Sequence, residues 1–128
     1  MKYAVYGTLR LNQGNYDWCL KNKKGVEHLE TKTIQGYDMY SVGGFPGIIP
    51  GNGSIVVDIF EVNNLEVQKN LDGLEGYRSY DEENSMYLKR KTKDDEFIYI
   101  WNREVSNLVE ILEGDWVEYK KQKTKQYV

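Results

Sequence analysis

Short apolar runs broken by glycine, proline and asparagine dominate the chain, and most of them alternate or run on as strands do. Residues 2–6 read as a first strand closed by Gly7. After a loop from Leu9, Asn15 is placed to cap a short helix carrying Tyr16, Trp18, Cys19 and Leu20. Lys21 to Gly25 is a solvated turn. Val26 to Ile34 and Tyr37 to Val42 predict a pair of strands parted at Gly36. Gly43 to Gly47 then breaks the pattern, and residues 48–53 form a hairpin-like link. Ile55 to Val62 is the strongest strand signal, and its continuous apolar run predicts a central position.

Asn63 predicts a helix N-cap with Glu66 as its capping-box partner, and Gly73 is the expected stop. Glu75 follows at the junction of helix and turn. Tyr80 to Ser85 is an acidic loop, and Met86 to Thr92 and Phe97 to Trp101 are strands joined by a tight turn. Val105, Leu108, Val109 and Leu112 have i, i+3, i+4, i+7 spacing, which predicts a short helix over Glu104 to Glu113. The expectation is a β-rich α+β domain over residues 1–119 and a solvated, polar, basic tail over 120–128.

Composition narrows the function classes. With 128 residues the chain can bury a real core without disulfides or metal. A net charge of -3 argues against general nucleic-acid binding. Cys19 is the only cysteine and His28 the only histidine, so no Cys/His cluster can build a zinc site and no intrachain disulfide can form. Cys19 reads as a small buried hydrophobe, and His28 as a surface or strand-edge residue. No apolar run approaches the ~20 residues of a membrane span, and the N-terminus lacks a long apolar segment of the secretory kind. A cytoplasmic protein without a membrane partner is expected.

The stretch Tyr3 to Arg10 carries the first candidate chemistry. An apolar strand stops at Gly7, and the N–H groups of the following turn need partners, which a carboxylate or phosphate could supply. The plainer reading is an ordinary strand ending in a turn. Leu71-Asp72-Gly73-Leu74-Glu75-Gly76-Tyr77 and Gly114-Asp115-Trp116 are the other two distinctive stretches.

Taken together, Tyr6-Gly7-Thr8-Leu9, the carboxylate in Leu74-Glu75-Gly76, and Gly114-Asp115-Trp116 resemble the γ-glutamylcyclotransferase-like family, in particular its γ-glutamylamine cyclotransferase and AIG2-like branch. The three parts span nearly the whole chain. The resemblance implies a small mixed β-barrel with short surrounding helices, and a cofactor-free transferase or lyase releasing 5-oxoproline from a small γ-glutamyl amine or peptide. In it Glu75 is the general acid/base, Tyr6, Gly7, Thr8 and Leu9 bind the substrate, and Tyr87 lines the cavity or packs across strands. Tyr77 and Tyr119 are further candidate walls, and Trp116 a core residue. Asp72, Glu82 and Glu83 have polar surroundings and read as solvated.

Two departures bear on substrate choice. Asn12 stands where the family often has glycine, and Asn tolerates a left-handed backbone. Val57-Asp58 stands where Gly-Glu is common, which puts a branched side chain where little room is expected. A cavity so altered could instead hold a small anionic ligand without turnover. A third reading is an interaction protein with a Tyr-rich docking surface.

Overall fold

The computed structural model describes residues 1–125. Its six strands are β1 (Lys2–Val5), β2 (Val26–Ser41), β3 (Pro46–Val62), β4 (Tyr87–Lys91), β5 (Phe97–Trp101) and β6 (Val109–Ile111). They form one sheet in the order β4-β5-β1-β3-β2-β6. Every neighbouring pair is antiparallel except β1 and β5, so the sheet is mixed. The fold is the expected mixed α+β, but β4 and β6 remain as two edges and the barrel does not close.

The β2–β3 hairpin is the frame. Its strands are 16 and 17 residues long, and at ~3.3 Å per residue a straight ribbon would run to about 50 Å. Bulges between His28 and Glu30 and between Gln35 and Tyr37 bend it around the core instead. Gly36, at φ +102°, makes the second bend. The two strands expected on either side of Gly36 are therefore one bent strand, and the expected link at 48–53 is part of β3.

Alternation along the central strands buries both faces. Ile55, Val57 and Ile59 join Ile98, Ile100 and Trp116 in one apolar cluster. Phe60 and Val62 join Tyr3, Val5, Leu71 and Tyr99 in the other. Such two-sided burial is why Ile55 to Val62 reads as a continuous run. Helices α1 (Gly14–Cys19) and α2 (Leu65–Leu74) contact one another. Leu20, just after α1, and Val67 and Leu71 of α2 belong to the second cluster, whereas α3 (Trp116–Lys125) begins on the first with Trp116.

Several helix boundaries differ from expectation. Asn64, not Asn63, caps α2, its side chain accepting from the Val67 amide at 3.2 Å. Asn63 is engaged elsewhere, its amide donating to the Gly25 carbonyl. Residues 104–113 are not helical. The backbone groups of β2 at Met39, Tyr40 and Ser41 would otherwise face an open edge, and β6 pairs with them. Ile111 is buried there while Val109 and Leu112 stay exposed, so the helical spacing had no apolar surface to meet. Residues 120–125 continue α3 rather than forming a tail, and 126–128 lie outside the described residues. No helix among the described residues is long and apolar enough to cross a membrane.

Candidate active site

Helix α2 ends in a backbone lock that sets one side chain. Gly76 takes the left-handed conformation at φ +62°, its amide donates to the Gly73 carbonyl, and the Tyr77 amide reaches back to Asp72. This 6→1, 5→2 pattern is the Schellman motif, with Glu75 as C-cap. Gly73, the expected stop, lies inside the helix.

Glu75 lies on the wall of a cavity of about 290 Å³. Among the described residues its carboxyl has no hydrogen-bond or ion-pair partner. Burial pushes the group up from 4.5 to about 7. Its place at the electronegative end of a helix acts in the same direction.

The turn after β1 lines the same cavity. Tyr6, Gly7, Thr8 and Leu9 all contribute to it, as does Tyr87. Glu75, Tyr6, Gly7, Thr8, Leu9 and Tyr87 thus all line one cavity. Gly7 is required by close approach rather than by φ, because a Cβ there would lie 2.7 Å from the ring carbons of Pro46. The turn is closed by the Arg10 amide donating to the Gly7 carbonyl at 3.0 Å. Asn15 does not cap α1; its side chain donates to Thr8 Oγ1 at 2.7 Å and its amide to the Thr8 carbonyl at 3.0 Å. Asn12 adopts φ +66°, the left-handed turn expected of it. Among the described residues, the amides of Gly7, Thr8 and Leu9 make no hydrogen bond.

The lining tyrosines Tyr6 and Tyr87 are neutral and committed. Tyr6 Oη donates to the Tyr99 carbonyl at 2.6 Å, and Tyr87 Oη to the Pro46 carbonyl at 2.6 Å. Burial, and then the Glu75 charge, push the Tyr87 phenol well above its ordinary value. Tyr6 is raised by burial, by Tyr87 and by Glu75. Among the described residues, Glu75 is the only acidic or basic side chain lining the cavity.

Other expectations fare differently. Tyr77 and Tyr119 do not line the cavity: Tyr77 Oη donates to Glu82 at 3.0 Å, and Tyr119 packs on Trp116. Trp116 is core, as expected. Val57 is also core and does not line the cavity. Glu82 is ion-paired with Arg90 at 2.9 Å. Asp72 is not merely solvated: it accepts from Tyr99 Oη at 2.6 Å and pairs with Lys89 at 3.0 Å. His28 reaches Asp58 at 3.2 Å. Among the described residues no three His, Cys, Asp or Glu side chains converge as a metal site.

A second network went unread in the sequence. Asp58 of β3 accepts from Arg10 Nε at 3.2 Å and the Leu11 amide at 2.9 Å, and from the Thr31 hydroxyl. Arg10 also donates to Asp115 at 2.9 Å. The signals were present, since Arg10 directly follows the glycine turn and Asp115 sits in the distinctive Gly114-Asp115-Trp116.

The mixed α+β sheet carries a cavity lined both by the half-buried Glu75, whose carboxyl has no partner among the described residues, and by Gly7, Thr8 and Leu9, whose amides make no hydrogen bond among them. The chain belongs to the γ-glutamyl cyclotransferase, AIG2-like family, whose model matches residues 3–118. It is 30% identical over 121 residues to the γ-glutamylcyclotransferase family protein YtfP of Escherichia coli K12, covering 94% of this chain and all of that one. Protein PH0828 from Pyrococcus horikoshii is similar in structure, with TM-score 0.73 and 25% identity over 100% of this chain and 99% of that one. An AIG2-like protein from Mus musculus shares the fold, with TM-score 0.68 and 20% identity over 90% of this chain and 86% of that one. The membership supports a γ-glutamyl cyclotransferase-like function.

Proposed function

We propose that this chain releases 5-oxoproline from a γ-glutamyl amine or peptide by intramolecular attack, with Glu75 as the single general acid/base. The observation that carries the reading is the pairing, across one cavity, of three unbonded amides with a carboxyl held at about 7. The amides of Gly7, Thr8 and Leu9 hold the substrate α-carboxylate, as a cluster of N–H dipoles holds any small anion. The substrate's α-ammonium then lies toward Glu75, which takes one proton. The freed amine attacks the γ-carbonyl carbon and a C–N bond closes the five-membered ring. Glu75 gives its proton to the departing nitrogen as the old C–N bond breaks. It then takes the second proton from the ring nitrogen, leaving a neutral lactam N–H, and passes it to the released amine.

A carboxyl poised near neutrality takes and gives that proton with similar ease. Holding both ends of the substrate folded supplies much of the rest, from the roughly 7–11 kcal/mol that proximity can contribute. Tyr87 serves through its ring, because its hydroxyl is engaged by Pro46.

The test is 5-oxoproline release from a panel of γ-glutamyl amines and peptides. Turnover is expected from the native protein and a loss of at least about a hundredfold from Glu75→Gln. Equal turnover by the two proteins would remove Glu75 from the mechanism. The same assay addresses an anion-binding protein without turnover, for which the ligand would be recovered unchanged. Of the two departures behind that alternative, Asn12 keeps the left-handed turn and Val57 lies in the core outside the cavity lining.

A further inference from the structure

We infer that Asp72, acting through the hydroxyl of Tyr99, is a positioning residue that keeps the Glu75 carboxyl in register with the glycine turn. The inference rests on the proposed role of Glu75 and extends it to groups outside the reacting centre. Asp72 lies one helical turn before Glu75 and does not line the cavity. Its backbone carbonyl receives the Tyr77 amide at 2.9 Å, so the same residue closes the end of α2. Its side chain accepts from Tyr99 Oη at 2.6 Å.

Tyr99 carries the link onward. It is 3% exposed, its ring lines the cavity, and its carbonyl accepts the Tyr6 hydroxyl at 2.6 Å. Tyr6 directly precedes Gly7. Two hydrogen bonds, joined through the covalent frame of Tyr99, thus tie the end of α2 through β5 to the residue before the glycine turn. Lys89 also holds Asp72: Nζ lies 3.0 Å from Oδ1, the oxygen that accepts from Tyr99, and 3.3 Å from Oδ2, donates to Tyr3 Oη at 2.9 Å, and lies 4.6 Å from the Phe97 ring centroid. Held by both Tyr99 and Lys89, Asp72 can transmit the position of the sheet to the helix end. Such a tie is needed because no bond from Glu75 itself sets its distance from the turn.

Tyr99→Phe removes the hydroxyl link while leaving the ring and the Tyr6 contact, which uses the backbone. Asp72→Asn keeps an acceptor for Tyr99, and Asp72→Ala does not. Two readouts are taken: steady-state 5-oxoproline release with melting temperature, and an NMR titration of the Glu75 carboxyl carbon without substrate. The titratable groups that feel Glu75 are Tyr6, Cys19, Tyr87 and Tyr99, all raised by burial and neutral near pH 7, so none titrates with it.

For Tyr99→Phe and Asp72→Ala, kcat is expected to fall about tenfold with KM within about twofold, because a small misplacement affects chemistry more than binding. In both, the Glu75 midpoint moves by at least about half a unit from about 7 toward its ordinary 4.5. Asp72→Asn is expected within about threefold of the native rate, and the double variant no worse than either single one. A Tyr99→Phe protein with native kcat and an unmoved Glu75 midpoint overturns the inference. So does an Asp72→Ala protein that melts lower with both readouts otherwise native. If no γ-glutamyl compound is turned over, the proposed function falls, and the titration alone decides the positioning role. Should Asp72→Ala fail to fold, Tyr99→Phe and Asp72→Asn carry the decision.

Discussion

Moving the Glu75 carboxyl from water to a wall of tyrosine rings and aliphatic carbon disfavours its charge, and that has a consequence for stability as well as chemistry. The folded value is about 7 and the ordinary one 4.5. As pH rises between these, the unfolded chain has lost the proton while the folded chain keeps it. Stability therefore falls through that window and levels off above about pH 7. At ~1.4 kcal/mol per unit the upper figure is about 3 kcal/mol. Glu75→Gln escapes this cost. Thermal melts should show the variant more stable than the native protein at pH 8, by about 1–3 kcal/mol, and nearly equal at pH 4. A variant melting below the native protein at pH 8 would contradict the burial argument. In the same range kcat/KM should rise with pH through about 7, because the base form must take the first proton.

At the scale of an element, the end of α2 decides where that carboxyl points, and its two glycines have opposite requirements. Gly73 is helical, and a Cβ there would meet nothing within 4 Å. Gly73→Ala should stabilise by about 0.5–1 kcal/mol through lower backbone entropy in the unfolded chain. Gly76 holds φ +62°, and a Cβ would lie 3.2 Å from Met86 Cβ. Gly76→Ala should cost about 1–2 kcal/mol and, by turning the C-cap, lower turnover further than the stability loss explains. Denaturant titration of both variants, with activity measured per folded molecule, checks the pair.

Those two glycines also show what was legible from sequence. Both stand in Leu71-Asp72-Gly73-Leu74-Glu75-Gly76, and local propensity favoured the first as the stop. Which one takes positive φ is settled by where Tyr77 and Met86 pack. Strands were readable wherever two-sided burial wrote continuous apolar runs, as in Ile55 to Val62. The apolar spacing from Val105 to Leu112 misled, because a strand edge needing partners overrode it. The glycine turn and Glu75 were recognisable from short motifs. Asp72 and Arg10 were not, since their partners lie 27 residues away at Tyr99 and 48 away at Asp58.

Across the whole molecule, the Arg10–Asp58–Asp115 network joins the turn that makes the cradle, the central strand and the start of α3. Asp58 is 2% exposed, and burial alone would raise its carboxyl. The Thr31 hydroxyl, the Leu11 amide, His28 and Arg10 outweigh that and hold it below its ordinary 3.8. Removing one member leaves charge buried without compensation. Asp58→Asn should therefore cost on the order of 3 kcal/mol at pH 7, and by loosening Arg10 and the Leu11 amide it should weaken substrate binding with it. The sign of the pH dependence follows from the lowered value. The unfolded chain takes up the proton first as pH falls, so the stability that Asp58 contributes is present above 3.8 and disappears as pH drops through the folded value. Urea titrations of native and Asp58→Asn protein should thus show a gap at pH 7 that narrows steadily below about pH 4. A gap that stays constant down to pH 2.5 would mean that Asp58 acts through packing and not through its charge.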